Sequence, residues 1–145
     1  MDVTLIIARL KDRVPEFGGR VAGAAELARL TAVGKAPEVT PAGHVIPTGI
    51  AGGKHHAQTG AYIQQIDRLF SVIVTVKTQD ASGRRVLETL DEFIGQVIDA
   101  LSGWELGDRI GVVLFRRAAL LRSGDGLFAY EISFSIADQL RIAQT

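Results

Sequence analysis

The sequence predicts an α+β fold: an antiparallel or mixed sheet of about four strands with a long amphipathic helix packed on one face. Three observations lead there. Arg84–Leu101 places Val86, Leu87, Leu90, Phe93, Ile94, Val97, Ile98 and Leu101 at i, i+3, i+4, i+7 spacing, with Glu88, Glu92, Gln96 and Asp99 on the outer face. Ile63–Thr78 is rich in β-branched residues, with Val72, Val74 and Val76 alternating with Ile73, Thr75 and Lys77. Ile110–Arg122 and Leu127–Ile136 flank the turn-forming stretch Ser123-Gly124-Asp125-Gly126, as in a hairpin.

The remaining elements follow in order. Val3, Ile6, Ile7, Leu10 and Val14 repeat at helical spacing behind a potential Asp2 cap. Pro15 ends that helix, because the residue before a proline disfavours helical torsions. Ala24–Ala32 reads as a second, weaker helix with Leu27 and Leu30 on one face. The long strand at Ile63–Thr78 either bends near Asp67 and Arg68 or projects beyond the core. Gly103 ends the main helix, and Trp104 is expected to fold back onto it. Ala81-Ser82-Gly83 turns the chain before that helix. In the last strand Phe128, Tyr130, Ile132, Phe134 and Ile136 form the buried face. Ala129, Glu131, Ser133 and Ser135 form the solvated one.

Residues 33–62 differ in composition. Pro37, Pro41 and Pro47 fall here with Gly34, Gly43, Gly49, Gly52, Gly53 and Gly60. His44-Val45-Ile46 is a short strand that Pro47 confines to a sheet edge or to its own end. Thr48–Ala61 is then a 14-residue loop, a length usually reserved for function or mobility.

Composition narrows the function classes. The 145 residues suit one domain over 1–145. Sixteen basic residues balance sixteen acidic ones, which disfavours a nucleic-acid binder driven by bulk charge. Twelve of the basic residues are arginine, the side chain suited to bidentate and interface contacts. The absence of cysteine excludes disulfides, thiolate catalysis and Cys-ligated metals. The longest apolar run, Leu69–Val76, is far too short to span a bilayer and contains Ser71 and Thr75. The N-terminus does not read as a signal peptide, since Arg9, Lys11 and Arg13 follow the apolar stretch. A cytoplasmic protein is expected.

Motifs for chemistry fail on spacing. Gly49-Ile50-Ala51-Gly52-Gly53-Lys54-His55 has Thr48 where a phosphate loop needs its first glycine, and His55 where it needs a hydroxyl. His44, His55 and His56 are the only histidines, and adjacent histidines on an extended chain point apart. No nucleophile elbow occurs. Glu88, Glu92 and Asp99 read as the wet face of a helix. Arg84-Arg85 and Arg116-Arg117 are too few for a nucleic-acid groove. The sequence thus predicts no catalytic residues, cofactor or metal. It offers a glycine-rich loop, a projecting strand and mixed charge, features suited to contact with other proteins.

Several pieces in order resemble the tail terminator proteins of long-tailed bacteriophages, a family also found in prophages and gene-transfer particles. They are Ile7-Ala8-Arg9-Leu10 with Val14-Pro15, Arg20-Val21-Ala22-Gly23-Ala24-Ala25-Glu26-Leu27, and the Pro-Ala-x-x-Val-x-Pro segment Pro41–Pro47 before the glycine-rich loop. The long strand ending at Asp80 and Gly83, Ala100-Leu101-x-Gly-Trp104 and the aromatic strand Tyr130–Phe134 complete the match, which covers about residues 3–136. The resemblance implies an α+β subunit of a ring, typically hexameric, that caps the tail tube, stops its polymerisation and meets the head or neck proteins without catalysing a reaction. Its implied partners are its own copies, the tail tube protein and a head-completion or neck protein, with no membrane and no sequence-specific nucleic acid, although DNA passes through such a ring. The implied location is the virion tail, assembled in the host cytoplasm. The expected contact residues are Thr48, Gly49, Gly52, Gly53, Lys54, His55, His56 and Tyr62 for subunit or tube, and Arg116 and Arg117 for subunit or neck. A tail-completion or head–tail joining role in the same virion, a small binding module or an unrecognised hydrolase are the alternatives.

Overall fold

The computed structural model describes residues 2–58, 60–78, 84–107 and 111–143, with the backbone alone at 56–58 and 84–86. The expected turn at Ala81-Ser82-Gly83 lies outside the described residues. The elements are α1 (Val3–Arg13), a short 3-10 turn (Pro15–Phe17), β1 (Val21–Gly23), α2 (Ala24–Ala32), β2 (Ala42–Gln58), β3 (Ala61–Lys77), α3 (Arg84–Leu101), β4 (Val113–Gly124) and β5 (Leu127–Ala143).

The fold is α+β with a mixed sheet, as the sequence implies, but the sheet has five strands in the order β1-β2-β3-β5-β4. The unexpected strand, β1, is three residues long and pairs parallel to β2 through Val21↔Gly43 and Gly23↔Val45. Three residues ending in glycine show no two-residue period, so no sequence pattern announces it. The other pairings are antiparallel.

Physical causes for the helix ends match the residues. The Asp2 side chain accepts a hydrogen bond from the Thr4 N–H at 2.9 Å, capping α1. Val14 leaves the helix and Pro15 opens the 3-10 turn. At the end of α3, Gly103 takes φ 77°, and its N–H donates to the Val113 carbonyl at 2.8 Å. The Trp104 N–H donates back to the Leu101 carbonyl at 3.2 Å, so the tryptophan does return to the helix end. The Arg9 guanidinium lies 4.6 Å from the Trp104 ring centre, and its Nε donates to the Ala100 carbonyl. That contact ties α1 to the end of α3.

One core lies between the helix layer and one sheet face. Ile6, Leu10 and Phe17 meet Leu90, Phe93, Val97 and Leu101 from α3, over Phe70, Val72, Val74, Ile132, Phe134 and Ile136 from the sheet. Phe17 stacks on Phe93 at 5.7 Å, and Phe70 on Phe134 at 5.3 Å. The opposite sheet face is less open than the alternation in Leu127–Ile136 implies: Ala129 and Ser135 are buried, and Glu131 and Ser133 are half-buried. Arg116 reaches across to Ser135, and Ser133 pairs with Ser71 across the strands at 3.2 Å. Long neighbours shade small residues there. By contrast α2 buries no residue at all.

Two boundaries move. β4 runs to Gly124, and the turn narrows to Asp125-Gly126 with φ 54° and 71°. Positive φ at both central residues is the two-residue hairpin turn that Asp-Gly favours. β5 continues past Ile136 to Ala143, because Ala137–Ala143 finds partners in Ala61–Asp67 of β3.

Candidate assembly surfaces

The predicted 14-residue loop Thr48–Ala61 does not exist as a loop. Its residues through Gln58 belong to β2, and Ala61 starts β3, so the segment is most of one arm of a hairpin. Pro47 does not end the strand either. β1 stops pairing opposite Val45, so the outer edge of β2 is already free at Pro47 and no donor is missed. The proline and glycines instead mark register shifts, between Pro47 and Gly49 and between Gly52 and His55. A Cβ on Gly53 would stand 3.1 Å from the Gln65 carbonyl oxygen, so the glycine serves close strand approach.

β3 projects beyond the core, and its pairing with β5 runs through Asp67 and Arg68 without a register shift. β1 ends opposite Val45 and β4 ends opposite Ile136, so three strands continue alone as an arm: β2 from Ala51, β3 up to Asp67, and β5 from Ala137. Arg68 donates from Nε to Asp138 Oδ2 at 2.8 Å at the arm's base, where Asp138 is only 11% exposed. Further out, Gln64 donates to the Gly53 carbonyl and accepts from the Tyr62 hydroxyl, both at 3.2 Å. The His55 ring lies 6.0 Å from that of Tyr62. Thr48, Gly49, Gly52, Gly53, Lys54 and His55 are exposed and Tyr62 is half-buried. His56 falls in the strand, and its side chain lies outside the described residues. Ile50, Leu140 and Ile142 add exposed apolar area that the sequence reading did not single out.

Arg116 and Arg117 sit elsewhere, on β4, the outermost strand of the sheet. They interrupt the apolar pattern because a register shift lies between Phe115 and Arg117. Arg116 Nε donates to Ser135 Oγ at 2.7 Å, and Arg117 is exposed. His55 aligns through Gln64 with Leu140, whereas Arg117 aligns with Ser133. Seven residues along β5 separate the two rows, roughly 24 Å. The two sets of predicted contact residues therefore lie on two separate surfaces. β4 also exposes Leu114, Phe115, Leu120 and Leu121. An edge strand with unpaired backbone and apolar side chains is a template for association.

A third feature escaped sequence reasoning. A groove of about 690 Å³ runs between α2, the 35–39 segment and the start of β2. His44 lies at its floor, 2% exposed, with Nε2 3.8 Å from Glu26 Oε2. That distance is too long for a hydrogen bond. The buried Nδ1 has no partner among the described residues. Burial holds the imidazole below its usual pKa, and Glu26 opposes this only in part. Sequence placed His44 in a strand, but its burial depends on where α2 docks. Among the described residues no three His, Asp or Glu side chains converge as metal ligands. No described helix is long and apolar enough to cross a membrane.

Comparison with known proteins agrees with this architecture. A chain from a structure described as the virion of a native gene transfer agent particle is 15% identical, with a TM-score of 0.54 over 93% of this chain and 92% of that one. At that identity the likeness concerns the fold. A second solved chain, also 15% identical, aligns over 99% of both chains at a TM-score of 0.44, too loose to bear on the argument. No curated protein sequence matches significantly. The family described as phage tail terminator protein matches across residues 1–145, and the chain belongs to that family of structural virion-tail proteins.

Proposed function

We propose that this chain acts as one domain that assembles into a closed, hexameric ring on the end of the tail tube. The ring stops tube polymerisation and presents its outer side to a head-completion or neck protein. It works without cofactor, metal or catalysis, in a virion tail assembled in the host cytoplasm, and DNA passes through its centre. The observation that carries this reading is the family match over the whole chain. The geometry supports it. A closed ring needs a heterologous contact, in which one patch of a subunit meets a different patch of its neighbour. The arm and the β4 edge lie at separate places on the sheet, so one subunit offers dissimilar surfaces for such contacts.

In this reading the arm and its base, with Thr48, Gly49, Gly52, Gly53, Lys54, His55, His56 and Tyr62, contact the neighbouring subunit or the tube. Arg116 and Arg117 contact a subunit or the neck. Native mass analysis over a concentration series, with negative-stain images of the large species, tests the ring. A six-fold ring with a central hole is expected. A strict monomer both free and on tube ends overturns the proposal.

A further inference from the structure

Charge in this neutral chain is segregated by element. β4 carries Arg116, Arg117 and Arg122 and no acidic residue. α3 carries Glu88, Asp91, Glu92 and Asp99, all exposed, and no basic residue after Arg85. Among the described residues none of these seven side chains takes part in an ion pair. Glu88, Glu92 and Asp99 share one helix stripe, turned away from the buried Leu90, Phe93 and Val97. Between Glu92 and Asp99 that stripe contains Gly95, whose missing side chain would meet nothing within 4 Å. A glycine inside a helix costs stability, and here it leaves a bare stretch of backbone along an acidic surface.

The two charged surfaces lie on opposite sides of the layered fold. Arg117 and Arg122 align with Ser133 and Ala129. Those positions alternate with Ile132 and Phe134, whose side chains face the helices. The arginines therefore belong to the sheet face away from α1 and α3, whereas the carboxylates line the outside of the helix layer. They cannot meet within one chain. They meet when copies stack head to tail, the sheet back of one on the helix of the next. Each surface also exposes a leucine, Leu114 at 47% on the sheet and Leu87 at 48% on α3. Stacking in one direction is the heterologous contact that a ring requires.

We propose that the occupant of the acidic α3 face is a second copy of this chain, docked through Arg117, Arg122 and Leu114 of β4, with an arginine lying over Gly95. The inference rests on the ring reading and specifies its subunit contact. Exposed charges of this kind are screened over about 8 Å at physiological salt, so assembly weakens as salt rises.

The test uses the full chain and reads assembly by native mass analysis at low salt. Arg117→Glu with Arg122→Glu, and Glu92→Lys with Asp99→Lys, are each expected to weaken assembly by about tenfold or more. The chain carrying all four changes is expected to return to within about threefold of the parent. Gly95→Leu gives an independent check: it raises the melting temperature of the monomer, because glycine leaves a helix, and blocks assembly. Rings formed unchanged by either charge-reversed chain overturn this contact and leave the ring reading standing. Two impaired chains that melt like the parent, with no recovery when combined, show that the patches do not face each other and also overturn it. A β4 variant that forms rings but loses an acidic neck partner assigns the arginines to that partner and overturns it as well. A parent chain that never forms rings, alone or on tube ends, overturns both.

Discussion

Phe93 tests the packing account most sharply. Its ring is 6% exposed, stacks on Phe17 and sits between α3 and the sheet. Phe93→Ala removes a side chain whose burial contributes about 2 kcal/mol of transfer free energy. The vacated space, up to about 100 Å³, adds about 2.4 kcal/mol at the usual cavity cost. Lost stacking adds about 0.5 kcal/mol or more. The expected destabilisation is about 4–5 kcal/mol, near the upper part of the range for buried Phe-to-Ala changes. For a chain of this size that lowers the melting temperature by roughly 10–15 °C. Urea unfolding followed by far-UV circular dichroism, at a concentration where the chain is monomeric, measures it. The midpoint should fall with the slope unchanged. Leu87→Ala, on the same helix but 48% exposed, should cost under about 1 kcal/mol. A Phe93→Ala loss below about 1.5 kcal/mol, or a Leu87→Ala loss equal to it, would refute the placement of α3.

Three further outcomes follow from polar and backbone contacts. His44 titrates below its unfolded value because burial disfavours its charged form, so its contribution to stability is complete above about pH 6.5. That contribution is lost as pH falls from there through the folded pKa, and melting curves from pH 7.5 to 5 should show a decline that His44→Gln reduces. Arg68→Ala removes the guanidinium that pairs with the half-buried Asp138 carboxylate and should cost about 1–3 kcal/mol, with the coupling measured by a double-mutant cycle against Asp138→Asn. Gly126→Val combines φ 71° with a Cβ only 2.8 Å from the Thr78 carbonyl oxygen and should cost about 2 kcal/mol or more in thermal melts.

Legibility in the sequence tracked periodicity. α3 was readable because eight apolar residues repeat at helical spacing, and the final hairpin because Asp125-Gly126 suits only a tight turn. The return of Trp104 followed from a glycine stop directly before it. The arm was not readable. Gly49, Gly52, Gly53 and Pro47 carry loop composition, yet β3 offers a continuous partner, and pairing satisfies backbone groups whatever the side chains. Pattern along one strand does not reveal that the neighbouring strand is longer than expected. β1 was lost for want of length. His44 and the separation of the arm from Arg117 depend on tertiary placement, which α2 and the register of β5 determine. The family-bearing pieces, in contrast, are local and ordered along the chain, so they are legible without the architecture.

Tube growth is the most direct measure of the central claim. Purified tail tube protein is polymerised with increasing amounts of this chain, and tube lengths are scored by negative stain. Capping predicts shorter tubes, with a ring on one end and no growth from it after fresh subunits are added. Tubes of unchanged length that keep growing from both ends would contradict the account.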